Sequence, residues 1–315
     1  MKFEDITTDM APLDPVDDRR HKLRNEALCR ESLVYTLQLP EEKIAAFVYP
    51  RVGSDGMAAG MACVFGEGVK NGPIFEIFPA VAVPDTMDFT DWKIPGLEVK
   101  LGEPLRTAHV KYSGERMSIE FDFDAIHPAY SYDSHPDLCP KFFADNRFEQ
   151  GGRIKGSLTI DGRTIALDTL GQRDHSWGAR NWGVNYHYKW FHATAPEAAV
   201  HFFKMEYLGR SLTRGYVFKD GHMSQIKQVD VLDFTLDDDM WHNDIQLLVH
   251  DNAGRSTRVN GVTFAKQVLP VDPINILNEA AMTVDIDGKP GVGWCEFYWD
   301  NRYLDHMKQH KNIRR

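Results

Sequence analysis

RMSIEFDFD, residues 116–124, is the stretch that decides the fold class of this chain. Apolar and polar side chains alternate strictly along it, with Met117 as the first apolar residue. Successive side chains of a β-strand point to opposite faces of a sheet, so the alternation predicts a strand with one buried and one solvated face. We expect this strand to pair in antiparallel fashion with residues 105–112, across a turn at Ser113 and Gly114.

Strand and turn signals continue along the chain in both directions. Short β-rich runs predict further strands at residues 43–49, 57–65, 74–83, 147–150, 153–160, 164–168, 186–193, 199–208, 213–219, 225–234, 244–250, 280–287 and 293–299. Pairs that favour tight hairpin turns occur at Asn71-Gly72, Asp161-Gly162, Asp220-Gly221, Asn260-Gly261 and Asp287-Gly288. We see no long segment of helical periodicity and no alternation of strands with helices, which disfavours a parallel α/β fold.

The predicted fold is therefore all-β, with two antiparallel β-barrel domains and short terminal helices. Each half of the chain holds enough strands for a small barrel, and barrels of about eight strands can hold one small ligand. We expect an N-terminal arm over residues 1–26, with a short helix that starts at Asp14 and Pro15. The first barrel is expected at 27–176 and the second at 177–315, which ends in a short helix.

Composition limits the classes of partner. The chain has 315 residues and a formal net charge of −10, whereas nucleic-acid binding needs a basic face. No apolar run reaches the roughly 18 residues of a membrane helix, and residues 1–18 lack the apolar region of a signal peptide. The four cysteines are far apart, which predicts reduced, buried thiols in a cytoplasmic protein. The basic tail from Lys308 onward is read as a solvated end.

The segment GQRDHSWGARNWG, residues 171–183, concentrates ionisable groups and tryptophans near the middle of the chain. Among tryptophans Asp174 would have a raised pKa and could serve as a proton donor, its charge state set by Arg173 or Arg180. The alternative is an ion pair with one of these arginines that braces the structure. His175 is either an acid–base group or a structural hydrogen-bonding residue.

Two further runs place aromatic and acidic side chains on shared strand faces. An extended backbone puts Tyr186, Tyr188, Trp190 and His192 on one face, which suits a flat apolar ligand or a cationic intermediate. Ordinary core packing would use the same pattern. In the run at 291–297, Trp294 and Glu296 share a face, and Glu296 is either a second catalytic carboxylate or a member of a salt bridge at the barrel rim.

Motifs for cofactors and metals do not stand out. The histidines are scattered, and no HExxH, GxSxG, P-loop or GxGxxG pattern occurs. We therefore expect neither a cofactor nor a metal, although a metal-dependent oxygenase remains an alternative that would require bound metal.

The segments RFEQGGRIKG (147–156), Asp161-Gly162 and GQRDHSWGAR (171–180) together resemble the lipocalin-related two-barrel superfamily of carotenoid 1,2-hydratase (hydroxyneurosporene synthase) and AttH-like proteins. The late Gly291-x-Gly293-x-x-Glu296 resembles a closing motif of the same group. The resemblance implies two calycin-like barrels, a cavity near their junction, and acid-initiated addition of water to an isoprenoid double bond. It carries the motif's Asp onto Asp174, its aromatic partner onto Trp177 and the closing carboxylate onto Glu296.

These observations favour a cofactor-independent hydratase, dehydratase (hydro-lyase) or isomerase that acts in a junction cavity on an apolar small molecule such as an isoprenoid, steroid or polycyclic aromatic. The alternative is a non-catalytic, lipocalin-like carrier of a hydrophobic ligand. The candidate catalytic residues are Asp174, His175 and Glu296. The candidate substrate-binding residues are Arg173, Trp177, Arg180, Trp182, Tyr186, Tyr188, Trp190, His192 and Trp294. Partners other than the substrate are limited to a possible second copy of the chain, as a homodimer.

Overall fold

The computed structural model describes residues 2–310, so the end of the basic tail at residues 311–315 lies outside the described part. The chain divides into two compact units. The first runs to Trp182 and includes Gly221–Met223; the second comprises Gly183–Asp220 and the chain from Ser224 onward. The domain boundaries expected from the sequence, at residues 26/27 and 176/177, stay a prediction.

Of the thirteen strands described in the first unit, all except the two-residue β1 belong to one antiparallel sheet. Their bounds are β1 Thr7–Thr8, β2 Cys29–Leu39, β3 Ile44–Gly53, β4 Met57–Phe65, β5 Ile74–Ile77, β6 Val81–Ala82, β7 Trp92–Ile94, β8 Leu97–Leu101, β9 Thr107–Ser113, β10 Met117–Ala125, β11 Tyr130–Ser131, β12 Asn146–Ile160 and β13 Arg163–Ala179. The main path of the sheet is β5-β4-β3-β2-β13-β12-β10-β9-β8-β7. Within the described residues its end strands β5 and β7 do not pair, so this sheet is a curled half-barrel.

The alternating stretch at 116–124 is a strand as predicted. β10 pairs antiparallel with β9, with Ser118 opposite Ser113, and on its other edge with β12. Its apolar side chains, from Met117 to Phe123, are buried in one core cluster, while Glu120 and the two aspartates that follow are exposed. The alternation of apolar and polar residues in the sequence therefore matches the division of the side chains of β10 between core and solvent.

Several predicted elements differ in extent. The runs at 147–150 and 153–160 form one continuous strand, β12, and β13 is a single strand of 17 residues that contains most of the segment 171–183. The predicted strand at 74–83 is interrupted around Pro79, which cannot donate a backbone hydrogen bond to a sheet. The predicted N-terminal helix is only one 3-10 turn, Pro15–Asp18, with Asp14 as its cap as expected.

The second unit is a closed antiparallel barrel. Its elements are β14 His187–Ala195, β15 Ala198–Tyr207, β16 Arg210–Lys219, β17 His222–Leu236, β18 His242–Asp251, β19 Ser256–Pro270, β20 Asn275–Ile286, β21 Lys289–Asp300 and the helix α1 Asn301–Gln309. The order β17-β16-β15-β14-β21-β20-β19-β18 returns to β17 through the pairing of β17 with β18. The all-β prediction is thus confirmed, and the C-terminal helix lies where it was expected.

Short 3-10 turns connect some of these elements. They are Phe3–Asp5, Pro15–Asp18, Pro40–Glu42, Phe89–Asp91, Tyr132–Ser134 and Trp182–Val184. Among the described helices, none is long and apolar enough to cross a membrane. All four cysteines are free thiols in buried positions, as the sequence predicted.

One predicted turn is wrong. Asn260 and Gly261 lie inside β19 rather than at a hairpin, whereas Asp220 and Asp287 adopt the left-handed conformation of tight turns. A Cβ at Gly261 would lie 3.2 Å from the sulfur of Met282 on the neighbouring strand. The glycine therefore makes room for packing and does not reverse the chain.

An apolar cluster fills the inside of the barrel. It draws residues from all eight strands, among them Phe191, Val200, Val217, Ile226, Leu247, Val259, Met282 and Cys295. Side chains alternate along a strand, so the other face of β14, β20 and β21 carries a different set. That outward face is rich in aromatic and acidic side chains, which are nevertheless mostly buried.

Candidate active site

Two glutamates lie side by side on the outward face of the second unit. β20 and β21 pair so that Glu279 stands directly opposite Glu296. The side chain of Glu279 is buried, with 4% of the residue exposed, and its carboxyl group hydrogen-bonds to that of Glu296. Two carboxylates this close cannot both carry a charge without strong repulsion, so they share a proton.

The shared proton belongs to Glu279. Burial raises the pKa of Glu279 well above its ordinary value, and the charge of Glu296 and the hydrogen bond to it act in the same direction. The indole Nε1 of Trp294 donates to Oε2 of Glu279 at 2.6 Å, which opposes the shift but does not cancel it. Glu279 therefore retains its proton to a higher pH than an ordinary glutamate does, as a general acid must.

Glu296 is held from the other side. The hydroxyl of Tyr188, on β14, donates a short hydrogen bond to Oε1 of Glu296. Tyr188 itself is buried and stacks on Tyr298, with ring centroids 5.1 Å apart. A carboxylate that accepts hydrogen bonds from both Tyr188 and Glu279 is placed to receive a proton when the acid gives one up.

Aromatic rings line the strand beside the two carboxyl groups. Trp190 on β14 stands opposite Glu296, and His192 stands opposite Trp294. The Trp190 and His192 rings meet edge to face at 5.3 Å. Burial lowers the pKa of His192 well below its ordinary value, and the neighbouring His201 adds to this, so the imidazole is neutral. Indole faces next to an acid can stabilise a cation formed by protonation.

Five residues predicted from the sequence thus gather in this site: Tyr188, Trp190, His192, Trp294 and Glu296. Sequence reasoning missed Glu279, because the strand was expected to begin at Ala280 whereas β20 begins at Asn275. The signal that could have found it is a charged residue that directly precedes an apolar run. Tyr186, expected on the same wall, precedes β14 and is 69% exposed.

Asp174 has a different environment, in the first unit. Nη2 of Arg147 donates to Oδ2 of Asp174 at 2.8 Å, and Nε of Arg147 donates to Glu149 at 2.6 Å. All three side chains are buried. A guanidinium at this distance favours the charged carboxylate, and the charge of Asp174 also acts on the guanidinium of Arg180. Asp174 as a proton donor stays a prediction, and this ion pair supports the bracing role more directly.

The opposite face of β13 carries a second buried polar group. Nη1 of Arg173 donates to Asp18 at 3.0 Å, and Nε2 of His175 lies 2.7 Å from Oε1 of Glu31. Trp177 stacks on the ring of His21 with centroids 3.7 Å apart. Arg173, His175 and Trp177 thus share one face, as their spacing predicted.

Arg180 and Trp182 follow at the end of this strand. The guanidinium of Arg180 lies over the ring of Phe143 at 3.9 Å and donates to the carbonyl of that residue. Trp182 lies 5.3 Å from the same guanidinium. Burial lowers the pKa of Arg180 to about 10, and it remains a cation at neutral pH.

One set of side chains in the first unit could hold a metal ion. Ligand atoms of His21, Glu31 and His175 lie within 4.8 Å of one another, a donor set that suits zinc or iron. However, Oε1 of Glu31 already contacts both imidazoles, at 2.8 and 2.7 Å. Nδ1 of His175 is buried without a hydrogen-bond partner, whereas a metal-binding histidine normally donates through its second nitrogen. The residues fit a hydrogen-bonded triad better than a metal centre.

Comparison with solved structures supports the fold. A protein described as AttH from Nitrosomonas europaea superposes with a TM-score of 0.67 at 14% identity, covering 91% of this chain and 96% of that one. Kievitone hydratase from Nectria haematococca superposes with a TM-score of 0.60 at 11% identity, covering 93% of this chain and 94% of that one. CghA superposes with a TM-score of 0.59 at 11% identity, covering 87% of this chain and 88% of that one. CghA has also been solved with Sch210972.

These structural similarities confirm the lipocalin-related two-barrel fold that the sequence resemblance implied. Because the sequence identities are only 11–14%, the similarities are evidence for the fold alone. No curated protein sequence matches the chain. Residues 14–301 match the family described as "Domain of unknown function (DUF7064)", which covers most of the sequence. The chain belongs to that family.

Proposed function

We propose that this protein is a cofactor-independent enzyme, a hydro-lyase or isomerase, that acts on an apolar small molecule by acid–base catalysis. The observation that carries the proposal is the buried, protonated Glu279, hydrogen-bonded to Glu296 and flanked by aromatic rings. Burying a carboxylic acid that lacks a cationic partner costs stability. A proton held in this way is typical of a group that must donate it at neutral pH.

In the proposed reaction Glu279 gives its proton to an alkene carbon, and the electron pair of the double bond forms the new C–H bond. The resulting carbocation is stabilised by the indole faces of Trp190 and Trp294. In a hydration, water then adds to the cation and loses a proton to Glu296. In an isomerisation, Glu296 removes a proton from a neighbouring carbon. The hydrogen bond between the two carboxyl groups returns the proton to Glu279, so the pair is restored.

The substrate class follows from the surroundings of the acid. Trp190, Trp294 and Tyr188 present large apolar faces, which suit an isoprenoid, a steroid or a polycyclic aromatic compound. Kievitone hydratase has the same fold, and CghA has been solved with Sch210972, which supports a hydration-type reaction on this scaffold. Dehydration is the same path in reverse: the proton first crosses the hydrogen bond to Glu296, which protonates the leaving hydroxyl group, and Glu279, now a carboxylate, removes the proton from the neighbouring carbon.

The test compares wild type with Glu279→Gln in ¹⁸O-labelled water, on a panel of terpenoids, steroids and aromatic alkenes read by mass spectrometry. Glutamine keeps the shape and the hydrogen bonds of the protonated acid, but its amide group cannot transfer a proton to the substrate. We expect its turnover to fall about 10²–10⁴-fold, the contribution of a positioned general acid. The exposed Glu197→Gln, in the same unit, is the matched control and should keep wild-type turnover.

The outcomes separate the candidate acids and the candidate functions. If Asp174→Asn abolishes turnover while Glu279→Gln does not, the acid is Asp174 and our assignment is wrong. If unchanged compounds co-purify with wild type and variant alike and no product forms, the protein is a carrier of hydrophobic ligands.

A further inference from the structure

A lysine and a histidine form a second cluster on the other face of β14, inside the barrel of the second unit. Lys189 alternates with Tyr188 and Trp190, so it points away from the carboxyl pair. In the sheet it stands between Phe297 on β21 and Lys204 on β15. Its Nζ lies 4.9 Å from the centroid of the Phe297 ring. The side chain is only partly buried.

His187 fixes the orientation of the Lys189 amine. Nδ1 of His187 lies 2.6 Å from the backbone carbonyl of Tyr298; a carbonyl only accepts, so this nitrogen carries the hydrogen. Nε2 therefore has a lone pair, and the amine of Lys189 donates to it at 2.7 Å. Burial lowers the pKa of His187 to about 3, and the imidazole remains a neutral acceptor.

Apolar rings surround this pair. Trp299 lies against His187 at 4.2 Å between centroids, and His242 stacks on Phe297 at 4.0 Å. Nε2 of His242 is directed at the carbonyl of Cys295 at 2.8 Å. Among the hydrogen bonds of the described residues, the Lys189 amine bonds to His187 and to no carboxylate. This contrasts with Lys219 and Lys266, whose amines each bind an aspartate.

The charge state of Lys189 agrees with this geometry. Burial lowers its pKa from 10.5 to about 8; the like charge of Lys204 also lowers it, while the Cys295 thiol and Glu206 act in the opposite direction. At pH 7.5 the neutral fraction of such an amine is on the order of a hundredfold larger than that of an ordinary lysine. A neutral amine still donates to His187 and keeps its own lone pair for attack.

We infer that Lys189, held by His187 among aromatic rings, is a covalent binding site for apolar aldehydes or ketones, which it captures as an imine. The amine nitrogen adds to the carbonyl carbon, and one of its two protons passes through water to the carbonyl oxygen, which becomes a hydroxyl. His187 stays neutral, accepts the remaining N–H and keeps the nitrogen oriented. The hydroxyl leaves as water together with that second N–H proton, and the nitrogen lone pair forms the C=N bond. Amine and carbonyl compound are consumed, imine and water are formed, and no oxidant or reductant is needed.

This site is separate from the proposed acid–base site. Lys189 and Glu296 lie on opposite faces of β14 and β21, because their positions in the two strands differ by one residue. Glu279→Gln should therefore leave the capture of aldehydes unchanged, and loss of imine formation would say nothing about the acid. The two inferences can fail independently.

The experiment treats the full-length protein with hexanal and sodium cyanoborohydride, which reduces an imine to a stable secondary amine, over a pH series from about 6 to 10. Tryptic peptides are then quantified by mass spectrometry. We expect Lys189 to be labelled at least tenfold faster than the other lysines at pH 7.5, with a half-maximal rate near pH 8. Glyoxylate, a polar anionic aldehyde, should label it more slowly than hexanal does.

Three variants sharpen the test. Lys189→Arg keeps the positive charge and should abolish the fast phase of labelling. Lys204→Arg, directly across the strand pair, is the matched control and should keep it. His187→Phe removes the acceptor and should slow labelling of Lys189 about tenfold. Labelling of wild-type Lys189 no faster than that of other lysines, or a fast phase that persists in Lys189→Arg, would overturn the proposal.

Discussion

Replacing Glu279 by glutamine should change how the stability of the protein depends on pH. Glutamine occupies the same volume as a protonated glutamate, can accept the hydrogen bond from Trp294 at 2.6 Å, and can donate one to Glu296. At low pH, where both native and unfolded wild type carry the proton on this side chain, the two proteins should unfold at similar denaturant concentrations. At higher pH they should differ.

The sign follows from linkage. The pKa of Glu279 is raised in the native state by burial, so between the ordinary pKa of glutamate and that raised value the native state keeps a proton that the unfolded state has lost. The free energy of unfolding of wild type therefore falls as pH rises, with a slope approaching about 1.4 kcal/mol per pH unit from this one group. The variant has no such group, and the titrations of groups away from the Glu279–Glu296 pair cancel in the difference between the two proteins.

The assay is urea unfolding of both proteins at several values between about pH 5 and 8, followed by circular dichroism. We expect Glu279→Gln to become progressively more stable than wild type as pH rises. Glu197→Gln, at an exposed position, should run parallel to wild type. Parallel curves for wild type and Glu279→Gln would show that Glu279 titrates normally, and the assignment of a protonated acid would then be refuted.

Two further predictions concern the first unit. Arg147→Met removes the guanidinium that is ion-paired with the buried carboxylates of Asp174 and Glu149, so the free energy of unfolding should fall by about 3–5 kcal/mol. Lys155→Met, at an exposed ion pair, is the control, and equal stability of the two variants would contradict the estimate. Gly156→Ala places a Cβ 2.0 Å from the carbonyl oxygen of Glu120 on the adjacent strand, so thermal denaturation should show a Tm several degrees lower. The control is Gly261→Ala, whose Cβ would lie 3.2 Å from the flexible side chain of Met282 and should cost less. An unchanged Tm for Gly156→Ala would show that the strands separate easily.

Much of the aromatic part of the candidate site was accessible from the sequence. Tyr188, Trp190 and His192 alternate along one strand, and this local pattern suffices to place them on one face. Trp294 and Glu296 share a face for the same reason. The acid was not accessible, since its role depends on burial and on a neighbour 17 positions away in the chain, which β20 and β21 bring opposite each other.

Asp174 shows the converse. Its local sequence, between Arg173 and His175 and near two tryptophans, suggested an acid in an apolar setting. In the structure Arg147 on the neighbouring strand reaches across to it, although Arg173 is adjacent in sequence. Adjacent residues of a strand point to opposite faces, so the arginine next in the chain is on the wrong side of the sheet to pair with it.

By itself, the sequence determined the fold class, most strands, the capping of the first turn by Asp14 and the burial of the cysteines, because these depend on alternation, turn residues and polarity within a few positions. Only the tertiary structure decided that one sheet curls without closing while the other closes through β17 and β18. It also decided the register that sets Glu279 beside Glu296, and the partner of Asp174. Register and closure are set by contacts between distant segments, since any one strand with a buried face can pair with many others until the whole sheet is assembled.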